Sequence, residues 1–87
     1  STTRRLRLNG QSTSLRLENA FWVILDQISE ADGVSTPAFI SKLHAEVLET
    51  QGEPVNFTSL LRTACLVFMA QSGATDHHDG SQSIAAE

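Results

Sequence analysis

Residues 11–36 read QSTSLRLENAFWVILDQISEADGVST, and their order decides the fold. Thr13, Leu15 and Leu17 alternate with Ser12, Ser14 and Arg16. Alternation with period two marks a strand with one face buried and the other wet. The period then changes: Phe21, Leu25 and Ile28 fall at helical spacing, Ile24 and Ala31 widen that stripe, and Trp22 lies at its edge. Asn19 is the expected cap of this helix, which should run to about Asp32, with Gly33 ending it in a left-handed turn. Ser35-Thr36-Pro37 opens a second helix. Either hydroxyl can cap it, and proline is tolerated in the first turn because its missing N–H is not needed there. A lone strand exposes a row of unpaired backbone groups and must find a partner. The simplest partner is the same strand of a second copy.

Toward the C-terminus, Phe39, Ile40, Leu43 and Val47 form the apolar stripe of the second helix, and Gln51-Gly52-Glu53-Pro54 breaks it. Asn56 should cap a third helix over about Phe57 to Gln71. That helix is apolar over much of its circumference, which suits burial between subunits or neighbouring helices. From Ser72 onward the chain is rich in Gly, Ser, Asp and His, and residues 72–87 read as a disordered tail.

Residues 1–10 form a basic arm whose leucines pose a register problem. Leu6 and Leu8 have even numbers and Leu15 and Leu17 odd ones, so one continuous strand would point the two pairs to opposite faces. A tight turn at Asn9-Gly10, the strongest short hairpin signal, resolves the conflict. Leu8 then pairs with Gln11, Arg7 with Ser12, Leu6 with Thr13 and Arg5 with Ser14. All four leucines share one face; Arg5, Arg7, Ser12, Ser14 and Arg16 share the other.

Composition bounds the rest. Eighty-seven residues with 40% hydrophobic content make one small domain, marginal by itself because so short a chain buries only about 60% of its unfolded surface. A single cysteine, Cys65, excludes an internal disulfide, and there is no Cys/His set with zinc spacing. Oligomerisation is the remaining source of stability. No apolar run reaches membrane-spanning length and no signal-peptide pattern opens the chain, so we expect a soluble, cytoplasmic protein with Cys65 reduced. The net charge of −4 hides an asymmetry. Residues 1–17 carry Arg4, Arg5, Arg7 and Arg16 and no acid; residues 18–87 carry two basic residues against ten acids. A basic arm on an acidic body is a local electrostatic footprint.

The strand Ser12-Thr13-Ser14-Leu15-Arg16-Leu17, the helix from Phe21 to Ile28, Gly33 and the Ser35-Thr36 cap together resemble the ribbon-helix-helix family of bacterial and phage repressors, which includes the Arc and methionine repressors. The resemblance covers about residues 11–50. The segment Leu17-Glu18-Asn19-Ala20-Phe21-Trp22, with the later Asn56-Phe57-Thr58-Ser59-Leu60-Leu61-Arg62, looks like a subfamily of small bacterial members. The resemblance implies a mainly α fold with a short β-ribbon, built as an intertwined homodimer, here with a third C-terminal helix. It implies a transcriptional regulator that reads double-stranded DNA, since the major groove admits a two-stranded ribbon. Carried over residue by residue, Ser12, Ser14 and Arg16 would contact bases. Arg16 leads, because a guanidinium can reach guanine O6 and N7 together. Ser35 and Thr36, at a helix N-terminus, would hold a phosphate, with Pro37 removing one N–H there. Arg4, Arg5 and Arg7 would meet phosphates from the arm.

Adding the Asn9-Gly10 hairpin to both copies makes four strands, about 14 Å between outer backbones, against a major groove about 12 Å wide. Either the arm is flexible and wraps the DNA backbone, or the scaffold does not read DNA in the usual way and its basic face binds another acidic partner. A further alternative is a protein-interaction module: antitoxin-like, with the third helix or tail binding a protein partner, or a structural dimer whose basic face binds an acidic protein or RNA. Trp22 is expected in the dimer core, His44 on a helix face, and Cys65 as a core thiol. Asp76, His77, His78 and Asp79 lack the rigid frame of a metal site. No catalytic constellation stands out, so neither an enzyme nor a cofactor is expected.

Overall fold

The structure, a computed structural model, describes residues 1–54 and 56–81, the side chains of 74–81 excepted. Two strands, Thr2–Leu8 (β1) and Gln11–Leu17 (β2), are followed by three helices, Asn19–Ala31 (α1), Thr36–Gln51 (α2) and Phe57–Ser81 (α3). The strands form an antiparallel hairpin with Leu8 opposite Gln11, Leu6 opposite Thr13 and Thr2 opposite Leu17, the register expected from the leucine parity. Asn9 (φ 52°) and Gly10 (φ 80°) both have positive φ, as a two-residue turn of the type favoured by strand twist requires.

The turn puts Leu6, Leu8, Leu15 and Leu17 on one buried face. They pack with Trp22, Leu25, Ile40, Leu61 and Cys65 into one core, flanked by half-buried Phe21, Ile24, Ile28, Phe39, Leu43 and Phe57. Each buried leucine contributes about 1.5–3 kcal/mol. A slip of one residue would turn a whole strand's leucines to water, so the register is strongly specified.

Helix α1 departs from expectation in two places. Asn19 is the first helical residue, not the cap. Glu18 takes the cap position, its carbonyl accepting from the Phe21 and Trp22 N–H groups. Hairpin pairing brings Thr2 beside the helix start, where its hydroxyl donates to the Asn19 side chain. The buried line of α1 is Trp22, Leu25 and Ser29 rather than Phe21, Leu25 and Ile28. Trp22 can lie at its centre because its indole N–H donates to the Thr2 carbonyl at 2.7 Å, which offsets the polar cost of burying it. Ser29 is satisfied by donating to the Leu25 carbonyl at 2.8 Å.

Of the two hydroxyl residues that could cap α2, Ser35 does so, accepting from the Ala38 N–H at 3.2 Å, with Pro37 in the first turn. Ile40, His44 and Val47 are its buried residues. His44 is thus turned inward, edge-on to Phe57 with 5.0 Å between ring centroids. Gly52 (φ 81°) ends α2. The Asn56 side chain caps α3, accepting from the Ser59 N–H at 3.2 Å.

Helix α3 runs to Ser81 and so passes the end expected at Gln71. No proline lies between Phe57 and Ser81, and the composition of the segment does not by itself stop a helix already formed. The expected tail therefore begins within helical backbone, and residues 82–87 lie outside the described residues. Leu61 and Cys65 anchor α3 in the core, while Leu66, Val67 and Met69 are exposed.

Two glycines test this backbone in opposite senses. Nothing lies within 4 Å of a Cβ built on Gly10 or on Gly73, but only Gly10 has positive φ. Gly10→Ala should therefore lose about 1–2 kcal/mol of stability through backbone strain alone. Gly73→Ala should favour α3 by about 0.8–1 kcal/mol. Urea unfolding followed by circular dichroism reads both; an unchanged midpoint for Gly10→Ala would contradict the turn.

Candidate nucleic-acid interface

The outer face of the hairpin follows from the same parity as the core. Thr3, Arg5, Arg7, Ser12, Ser14 and Arg16 lie on it, and Arg5, Arg7, Ser12, Ser14 and Arg16 are all exposed. The register sets Thr3 opposite Arg16, Arg5 opposite Ser14 and Arg7 opposite Ser12. Three guanidinium groups and three hydroxyls thus share a two-stranded surface with no acid in either strand. Arg7 donates to the Gly10 carbonyl at 3.2 Å, which holds its guanidinium near the turn. Five of the residues singled out from sequence, Arg5, Arg7, Ser12, Ser14 and Arg16, are therefore together.

Arg4 is not with them. Its even number places it with Leu6 and Leu8 on the helical side of the sheet. There its guanidinium donates to both Asp26 carboxylate oxygens, at 3.0 and 3.2 Å. It also lies 4.4 Å from the centre of the Trp22 ring, a favourable cation–π distance. Arg4, expected from the sequence to meet phosphate, is engaged here in a half-exposed clamp with Asp26. Thr36 belongs to the same cluster, its hydroxyl donating to Asp26 at 2.7 Å. One carboxylate thus ties β1 to α1 and to the first turn of α2. Alternation alone carries the signal for Arg4; nothing in the sequence marks Asp26 as its partner.

The first turn of α2 is also partly committed. Ser35 accepts from the Ala38 N–H, the Thr36 hydroxyl serves Asp26, and Pro37 has no N–H to offer. Elsewhere, Arg62 donates to Glu18 at 2.9 Å, joining α3 to the strand–helix junction. The Glu18 carboxyl is held below its usual range by its own backbone N–H and by Arg62.

Away from the outer face, a cavity of about 340 Å³ lies beneath the hairpin tip, lined by Leu8, Gln11, Thr13, His44, Glu53 and Phe57 among others. The His44 Nδ1 is buried and has no hydrogen-bond partner among the described residues. Neither lysine nor arginine lines this cavity. Cys65 is buried, its Sγ 3.6 Å from the Phe21 carbonyl, and burial raises its pKa. That is the environment of an inert core thiol. No group of three metal-ligating side chains occurs among the described residues, and no helix among them is long and apolar enough to cross a membrane.

The chain belongs to the ribbon-helix-helix domain family, whose profile matches residues 1–69. A solved structure, that of an uncharacterized protein from Bordetella pertussis Tohama I, is similar to it: 36% identity, a TM-score of 0.81, and 99% of this chain and 70% of that one covered. A comparison with curated proteins finds no match. Ribbon-helix-helix domains typically dimerize and are typically DNA-binding regulators or antitoxins, a regulatory rather than enzymatic fold family.

The clamp has a pH signature. Hydrogen bonds from Arg4 and then Thr36 hold the Asp26 carboxyl below the usual aspartate range. A depressed folded-state value gives stability that is present above the unfolded value and lost as pH falls through the folded one. The side chains are 37% and 47% exposed, so the pair contributes at most about 1 kcal/mol. Asp26→Asn should lower stability at neutral pH and flatten the acid limb of a stability-versus-pH curve below the ordinary aspartate value. An acid limb identical to that of the wild type would rule out the clamp as its source.

Proposed function

We propose that this chain is the subunit of a homodimeric transcriptional regulator that binds double-stranded DNA through the outer face of its hairpin. One observation carries the reading: Arg5, Arg7 and Arg16 stand on a surface without acids, while the rest of the chain is acidic. Charge so placed directs one face toward a polyanion and turns the body away from it. The second copy supplies a matching β2. Strand β2 has β1 on one side, and among the described residues no strand occupies its other edge. An edge of this kind is a template for an identical strand. Ser12, Ser14 and Arg16 lie on the strand nearest that partner, Arg5 and Arg7 flank them, and α2 contributes the Thr36 N–H toward a phosphate.

A second reading rests on α3. Leu66, Val67 and Met69 are exposed on it, and exposed apolar groups on one helix suit a protein partner, as in antitoxin-like assemblies. The basic face favours DNA as the principal target.

Fluorescence anisotropy against a random-sequence duplex pool, with a salt titration, tests the proposal. Wild-type protein should bind with an affinity that falls steeply as salt rises. Arg16→Ala should cost about 1–3 kcal/mol on selected duplexes and remove sequence preference. A folded dimer that binds no duplex at low salt would exclude the reading and leave the α3 surface as the functional one.

A further inference from the structure

The hairpin changes how such a dimer can sit on DNA. Strand β1 is not a loose arm. Leu6 and Leu8 are buried, the Thr2 carbonyl holds the Trp22 indole N–H, and Arg4 is paired with Asp26 through both its terminal nitrogens. Releasing β1 would expose two leucines and break this cluster, so the strand stays in place when the outer face is engaged. A dimer formed through the open edge of β2 therefore presents a four-stranded sheet in the order β1-β2-β2′-β1′. Its outer backbones stand about 14 Å apart, while the major groove is about 12 Å wide.

From this mismatch we infer a shallow seat: the sheet rests across the mouth of the groove, β1 and β1′ lie over the phosphate walls, and Arg16 is the one side chain of β2 that reads bases. The inference rests on the DNA-binding reading above. Two features of the hairpin support it. Arg5 and Arg7 are exposed on the outer strand, where the walls would be, each beside a serine rather than an acid. Guanidinium groups at those places neutralise phosphates without reading sequence. The inner strand carries two lengths of side chain. A serine hydroxyl ends at its γ atom and an arginine at its η atoms. The groove is about 8.5 Å deep, so from its mouth only the arginine reaches base edges. Ser12 and Ser14, which a deeply inserted ribbon would use, stay above the bases.

The test is selection of preferred duplexes from a random-sequence pool, followed by anisotropy titrations in graded salt, using the full chain and exposed-face variants whose folding is checked by circular dichroism. Ser12→Ala with Ser14→Ala should leave the selected sequence unchanged and alter affinity less than about twofold. Arg16→Gln should erase the sequence preference. Arg5→Gln with Arg7→Gln should keep the preference but make the slope of log affinity against log salt shallower, by about 0.9 for each phosphate no longer neutralised, with both arginines of both copies counted. A changed motif in the serine variant, or an unchanged salt slope in the Arg5/Arg7 variant, overturns the shallow seat while leaving DNA binding intact. Wild-type protein that binds no member of the pool overturns the DNA-binding reading and the seat together.

Discussion

Two residues with positive φ, Asn9 and Gly10, set the constraint on which the rest of the molecule depends. A turn with only two residues leaves no slack in the register. It reverses the chain so that even-numbered positions of β1 and odd-numbered positions of β2 fall on one face. That single parity shift collects four leucines for the core and three arginines for the outside. Core and candidate interface are thus two sides of one sheet, and neither can be altered in register without the other. A longer or looser turn would let the strands slip, and a slip of one residue would bury guanidinium groups and expose leucines.

Charge is arranged on the same plan. The guanidinium groups of Arg5, Arg7 and Arg16 remain exposed on the outer face, whereas Arg4, one position from Arg5, is drawn inward by Asp26 and the Trp22 ring, with Thr36 completing the cluster. The difference between neighbours is the strand's alternation. Arg4 lies on the helical side and is long enough to bring its head to the edge of the core, where a carboxylate and an aromatic face receive it. The exposed pair adds little energy; together with the Trp22 indole bond to the Thr2 carbonyl it joins β1 to α1 and, through Thr36, to the first turn of α2.

Much of this is legible in the sequence because short-range patterns encode it. The hairpin, its register and the leucine face follow from Asn9-Gly10 and parity alone. The caps at Ser35 and Asn56 and the stops at Gly33 and Gly52 follow from residue types whose conformational preferences are strong. The features that local patterns miss depend on partners distant in sequence. Trp22 moves from the edge of its stripe to the centre because Thr2, twenty positions earlier, offers a carbonyl to its N–H. Asn19 enters the helix, and its side chain meets the hydroxyl of the same Thr2. Charge groups Arg4 with its neighbours, although its parity already separates it from them. His44 turns inward where Phe57, from another helix, meets its ring. Helix α3 continues to Ser81, past the polar composition that suggests an end near Gln71, over a stretch that contains no proline.

Each chain closes its own hairpin, and in the proposed dimer the open edge of β2 receives a second copy. Isotope-filtered nuclear Overhauser spectra of a mixed labelled and unlabelled sample test it most directly. Contacts between β1 and β2, with Leu8 facing Gln11, should arise within one chain, and contacts between chains should run along β2 against β2. Contacts between β1 and β2 that cross from chain to chain, or a β2 edge that meets no second copy, would contradict it.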